Sequence, residues 1–456
     1  MKKLFFLMSV GIVALFLLPA CSNDENHVEE QPVPEQGEVT KQEPETTDSV
    51  REKYVGVTLR IIEDEVIAID GSQTVGSLSD EDATIVNAVN AFSINLFRTM
   101  GQLALQGENV FVSPFSVQQV LAILCNGTDE TTKKDILAAL GYEGYTVEAL
   151  NICNSRIVNN IKRDIGESEL DIANALWLQD ELPIYRSFLS TVQGYYDADV
   201  LPIDFHDLMA GSVINQWSSD KTKGMIPQLV SQGALPYQFL LANAVYFKAE
   251  WVSPFEKELT RTESFTNTDG IEVDVAMMHM KNVVWMRHAS LVDMDMVDIP
   301  YNGDFSMLIC LPHEGVDMKE CLHVLNAEGW QAIVNTMCGK WVDLSMPLFS
   351  IDTNKSLQKA LQRLGIKELF SDMPNLTKMS PVQFTLSDCA QLSRINVNEN
   401  GTEAAAVTYS SFGTAVGDEP TTVSTPIVFQ VDHPFFFAIR DGRSGAILFM
   451  GYVETL

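Results

Sequence analysis

Basic residues are scarce: 30 Lys and Arg stand against 61 Asp and Glu in 456 residues, a formal net charge of −31. So acidic a chain repels nucleic acid and other polyanions, which excludes those partners; otherwise the charge serves solubility. Paired cysteines are missing too. None of the seven Cys falls into a C-x-x-C spacing and the seven His form no H-E-x-x-H, so no zinc site, metal or other cofactor is expected. Nothing after about residue 50 reads as an interdomain linker, which leaves room for one large domain at 51–456. No apolar run is long enough to span a bilayer with confidence, and the longest, Leu4 to Leu18, lies at the N-terminus.

Lys2 and Lys3 precede that run and Leu-Pro-Ala-Cys closes it at 18–21, the pattern of a signal peptide over residues 1–20. A cysteine directly after the small residue resembles a bacterial lipobox. Cleavage before Cys21 and lipidation of its thiol would then give an exported lipoprotein of the outer membrane, anchored through lipid while the fold stays soluble. The acidic Ser22 to Glu25 flank fits display at the cell surface. Residues 22–50 hold nine carboxylates against the single Lys41, with Pro32, Pro34 and Pro44 and no aromatic, so 21–50 should be an extended, self-repelling tether. The remaining Cys125, Cys153, Cys310, Cys321, Cys338 and Cys389 are expected to be buried free thiols.

Along the chain, Val89, Phe92, Leu96 and Met100 recur at helical spacing, predicting a helix from Thr84 to about Leu105. Asn109 to Ser116 reads as a short strand ended by Ser-Pro, with a buried helix resuming at Val117. Ser113 and Ser116 fall at that helix start, where hydroxyls cap orphan amides; without a G-x-S-x-G context they are not nucleophiles. Asp171 to Leu178 and Leu240 to Phe247 are apolar on both faces, each with one Asn, predicting central strands covered on both sides and local polar networks at Asn174 and Asn243. A helix from Ile214 should end at Gly224, and strands should follow at 294–299, 305–312 and 342–351. Leu357, Leu361 and Leu364 line a helix closed by Gly365. Phe435 to Ile439 and Ala446 to Val453 form a hairpin across Arg440 to Gly445. The class is α+β.

Between two strand-like segments lies Glu399 to Val431, in a span from Arg394 to Arg440 that holds no other Lys or Arg. Such a stretch is either a plain linker or a loop that can become a strand, since Thr402, Ala404, Ala406 and Thr408 would fit inward in a sheet.

NVFVSPFS at 109–116, DIANALWL at 171–178, INQWSSDKTKGMI at 214–226, LLANAVYFKAEWVSPF at 240–255, VDLSMPLFSID at 342–352, VNENGTEAAAVT at 397–408 and HPFFFAIRDGRSGAILFMGYV at 433–453 together resemble a serpin, over roughly residues 80 to 456. The resemblance implies three β-sheets, eight or nine helices and a reactive loop offered to a protease, which is trapped covalently when the cut loop inserts into the central sheet. It implies an inhibitor, not an enzyme, acting as a monomer on a serine protease. Glu399, Gly401, Thr402, Glu403, Ala404, Ala405 and Ala406 correspond to the inhibitory hinge, and Trp251 belongs with Glu399 to the region where insertion begins. Ser113, Ser116, Asn243 and Gln391 correspond to the cluster that controls sheet opening, with Gln391 where the family frequently has His. Counting forward from the hinge puts the reactive bond at Ala415–Val416; counting back from His433 puts it near Val423, because the loop is longer than typical. Either residue suits an elastase-like pocket, with Phe412 and Tyr409 as secondary targets.

Overall fold

The computed structural model describes residues 57–402 and 425–456, apart from 67–68, 70, 75, 326, 372–374, 384–385 and 387–388. The chain opens with strand β1 (Arg60–Ile62) and reaches helix α1 (Asp80–Leu103), whose start is fixed by a reciprocal capping box between Ser79 and Asp82. Strand β2 (Val110–Val112) runs into α2 (Pro114–Gly127), capped by Ser113 with Pro at its first turn. Helices α3 (Glu130–Ala139) and α4 (Val147–Ile161) lead to β3 (Glu169–Gln179) and β4 (Pro183–Tyr185). Then come α5 (Arg186–Tyr196), β5 (Asp199–Ile203), α6 (Ala210–Lys221) and β6 (Phe239–Glu250). A run of antiparallel strands follows: β7 (Arg261–Thr266), β8 (Glu272–His279), β9 (Val284–Ser290), β10 (Met294–Pro300) and β11 (Phe305–Pro312). Helices α7 (Met318–Val324) and α8 (Ala327–Thr336) precede β12 (Cys338–Pro347), β13 (Phe349–Ser356) and α9 (Gln358–Arg363). The chain closes with β14 (Ala390–Asn398), β15 (Gly401–Thr402), β16 (Ile427–Gln430), β17 (Phe435–Asp441) and β18 (Ile447–Val453).

Nine α-helices and three sheets among the described residues make the α+β class plain. One sheet of ten strands is ordered β2-β18-β17-β11-β10-β9-β12-β8-β7, with β16 beside β12. The second, ordered β13-β14-β15-β6-β3-β5, carries the site. The third is the small β1-β4 pair.

β3 and β6 pair antiparallel over ten positions, Asn174 opposite Asn243. Both of their faces are covered. On one side Trp177, Leu240 and Ala242 join Ile214 and Trp217 of α6 in a small core, where the two indoles meet edge-on at 6.3 Å. On the other, Leu176, Leu178 and Leu241 join the main core with α2 and α5. Runs that are apolar on both faces are what two-sided burial requires.

Three expectations need correction. The segment 342–351 is not one strand: it breaks at Leu348, so β12 and β13 belong to different sheets. The helix from Ile214 ends at Lys221, because Lys223 (φ 52°) and Gly224 (φ 85°) are both left-handed and cannot continue it. Of the six cysteines, five are buried free thiols but Cys338 is exposed.

His433 fastens the end of β16 to the body. Its Nδ1 lies 2.7 Å from Asp432 Oδ1 and its Nε2 2.7 Å from the Pro312 carbonyl. Burial pulls its pKa down, but the Asp432 carboxylate and the Pro312 carbonyl outweigh burial and hold it above the ordinary imidazole value. A pKa raised on folding adds stability that is full below the unfolded value and lost as pH rises through the folded one. His433→Gln is therefore expected to lower Tm by about 1–2 °C at mildly acid pH and by less at pH 8; a deficit that does not shrink with rising pH refutes the assignment. The readout is thermal melting across that range.

Candidate functional site

The second sheet is forked. β14 pairs with β13 along its length, and β6 pairs with β3, but among the described residues no ladder joins β14 to β6 directly. Among the described residues, only the two of β15 lie between them. Gly401 sits opposite Asn398 and Glu250, and Thr402 opposite Val397 and Ala249. Below that point no ladder among the described residues joins the facing edges of β14 and β6, and the line between them is the seam.

The top of the seam is tightly built. A Cβ on Gly401 would stand 2.1 Å from the Ala249 carbonyl oxygen, so the close approach requires glycine. Thr402 is 2% exposed and its hydroxyl lies 2.5 Å from that of Tyr301. The Tyr301 ring stacks on Trp251 at 4.1 Å, and burial holds its phenol well above the usual tyrosine range. Trp251 in turn donates its indole N–H to the Asn398 carbonyl (3.0 Å) and its backbone N–H to Asn400 (2.9 Å). Glu399 is nearly buried; its carboxylate accepts from the Thr260 hydroxyl (2.9 Å) and its carbonyl from Phe255 N–H (2.9 Å). The bend at Glu399–Asn400 is thereby held from both sides.

Midway down, a chain of hydrogen bonds crosses beneath the seam through the start of α2. Gln391 on β14 grips the Ser113 backbone at two points: its Oε1 accepts from Ser113 N–H (2.9 Å) and its Nε2 donates to the carbonyl (3.1 Å). Ser113 Oγ donates to the Leu448 carbonyl (2.8 Å) and caps Ser116 N–H (3.3 Å). Ser116 does not cap; its hydroxyl donates to Asn243 Oδ1 on β6. Asn243 Nδ2 donates to Asn174 Oδ1 (2.9 Å), and Asn174 Nδ2 to the Tyr196 carbonyl at the end of α5 (3.2 Å). A carboxamide does not titrate, so Gln391 keeps its two-point grip across the range where an imidazole would change charge.

Glu399, Gly401, Thr402 and Trp251 thus converge at the top of the seam, and Ser113, Ser116, Asn243 and Gln391 at its middle. Glu403, Ala404, Ala405, Ala406, Phe412, Ala415, Val416 and Val423 lie outside the described residues, as does Cys21. The sequence reading missed Tyr301 and Thr260, which no local motif marks. Among the described residues no group of His, Cys, Asp and Glu is arranged to hold a metal ion.

The second sheet thus carries, between β14 and β6, the two-residue start of a further strand from its own chain. Residues 87–456 match the family model for Serpin (serine protease inhibitor), and the chain belongs to the serpin family, whose members act in general as protease inhibitors. An uncharacterised serpin-like protein of Methanosarcina mazei is 31% identical over 388 residues, 84% of this chain and 89% of its own. Human neuroserpin is 31% identical over 394 residues, 84% of this chain and 93% of its own. Among solved structures, the thermophilic serpin tengpin in its native state is similar with a TM-score of 0.72 at 26% identity, over 87% of this chain and 98% of that one.

Proposed function

We propose that the protein is a suicide-substrate inhibitor of elastase-like serine proteases, which traps the acyl-enzyme by inserting the cut loop along the β14–β6 seam. The observation that carries this reading is β15. Because 401 pairs with 250 and 402 with 249, each further residue of the loop meets the preceding residue of β6; the same count runs down β14 from 398 and 397. Continued, that register brings Thr408 opposite both Asn243 and Gln391, the two cluster residues on either side of the seam. Ala404, Ala406 and Thr408 then share the inward face with Thr402. Adding an extended peptide to exposed strand edges is a general recognition mode of which serpin loop insertion is itself an example.

Elastase-like selectivity is supported by the span from Arg394 to Arg440, which contains no other basic residue to fill an acidic specificity pocket. The forward count names Ala415–Val416 as the reactive bond. Incubation with pancreatic elastase should give a 1:1 complex that survives SDS, with cleavage after Ala415 by mass spectrometry of the released peptide. Cleavage without complex across a panel of serine proteases would overturn this reading in favour of a loop that serves only as substrate.

The same reading puts the inhibitor in the outer membrane, at the cell surface, through lipid on Cys21. Cys21→Ala expressed in a lipoprotein-processing bacterium is expected to lose incorporation of labelled palmitate and to leave the membrane fraction; unchanged labelling would end the anchor assignment.

A further inference from the structure

The segment from Thr58 to Gly76 precedes the family match, yet it is bound in detail to α5 and α4. Thr58 exchanges hydrogen bonds with the 180–181 turn: its N–H donates to Asp180 Oδ1 (2.8 Å) and its carbonyl accepts from Glu181 N–H (3.2 Å). β1 pairs in parallel with β4, immediately before α5. Glu63 then takes Arg186 in a two-point pair (2.6 and 3.2 Å), and Asp64 accepts both the backbone N–H and the hydroxyl of Ser187 (2.8 and 2.6 Å). α5 has no side-chain cap of its own, since Tyr185 stands at that position, so Asp64 supplies one from more than a hundred residues away. At the other end of α5, Ile69 lies in a notch left by Gly194, where an added Cβ would come within 2.1 Å of Ile69 Cδ1. The segment then crosses to α4, where Asn159 donates to the Thr74 carbonyl (3.0 Å) and Asn160 to that of Gly76 (2.7 Å).

The helix so fastened connects β3 to β5, the two strands that must travel with β6 when the seam widens. It is joined to the seam itself by the chain Tyr196, Asn174, Asn243 and Ser116. α4 is joined to α1 by the Arg156–Asp82 ion pair (2.7 Å) and to α2 by Gln118–Asn154 (2.9 Å). We infer that the described residues between Thr58 and Gly76 act as a strap that ties the travelling half of the sheet to the stationary helices and so restrains insertion of an uncut loop. This rests on the insertion reading above.

Two full-length variants test it. Glu63→Ala with Asp64→Ala removes the cap and the ion pair; Ile69→Ala with Gly194→Ala takes the Ile69 side chain out of its notch while giving α5 a better helix former. Each is warmed without protease, and the remaining capacity to form protease complexes is followed in time. Both are expected to lose that capacity about tenfold faster than the parent, a change within reach of one lost cap and one charged pair. The product should be uncut, monomeric and higher-melting. Loss at the parental rate overturns the strap, as does loss through a lower-melting, unfolding product. The parent, cut in its loop, is melted alongside: if cutting gives no rise in Tm, the insertion reading fails and the strap with it, whereas a rise combined with unaltered variants removes the strap alone.

Discussion

Thr402→Arg is expected to convert the proposed inhibitor into a substrate: protease should still cut the loop, with SDS-stable complex falling by roughly a hundredfold. Residue 402 is 2% exposed in the uncut sheet, its hydroxyl against that of Tyr301; an arginine is expected to leave that position in the uncut protein, so that insertion after the cut has to bury the guanidinium. The groups shown around that position, the Tyr301 hydroxyl and the Ala249 backbone, are uncharged. Burying an unpaired charge at a partly relaxed site costs about 3 kcal/mol, and about 1.4 kcal/mol is a factor of ten in rate. In the proposed mechanism insertion competes with hydrolysis of the acyl-enzyme, so slowing it by that factor would send nearly every encounter to hydrolysis. Titration of elastase against the variant, with complexes counted on denaturing gels, gives the ratio directly. Complex formation equal to the parent's would show that residue 402 is not on the path of insertion.

The second large effect is thermal. Cutting the loop near residue 415 is expected to raise Tm by roughly 10–20 °C, because the new strand completes the ladders along β14 and β6. About a dozen added ladder bonds at about 1 kcal/mol net each give on the order of 10 kcal/mol, comparable to the whole stability of an ordinary domain. For a folded unit of about 400 residues, each kcal/mol moves Tm by only about 1–2 °C, which sets the expected range. Melting of cut and uncut protein by calorimetry decides it. An unchanged Tm after a single verified cut means that the seam stays empty and that the loop is merely a cleavage site.

Much of this was legible in the sequence because it is written in local pattern. Two apolar runs, each interrupted by one Asn, announced buried strands with a polar network, and Asn174 and Asn243 do face each other across β3 and β6. Ser113 before Pro114 announced a helix cap. What escaped notice depends on partners distant in the chain. Tyr301 reaches Thr402 across 101 residues, and Asp64 reaches Ser187 across 123. Neither pairing leaves a periodicity or spacing to read. Ser116 was assigned as a cap because its position suits one; tertiary packing instead turned its hydroxyl to Asn243. The break at Leu348 was hidden because apolar alternation continues through it, although the two halves belong to different sheets.

The bend at Glu399–Asn400 also bears on time. A strand entering a sheet from a free chain must first find its register, which costs loop-closure entropy before any bond repays it. Here β14, the bend and β15 already form a closed hairpin, with Asn398 Oδ1 holding the Asn400 N–H at 2.9 Å. Growth from such a seed is a zipper that adds one residue at a time, and whole hairpins form in about 1–10 μs. Under the proposed insertion the slow step would then be the widening of the gap between β6 and β14, so the speed of trapping would be set by the body of the protein and could be tuned there without altering the sequence the protease reads.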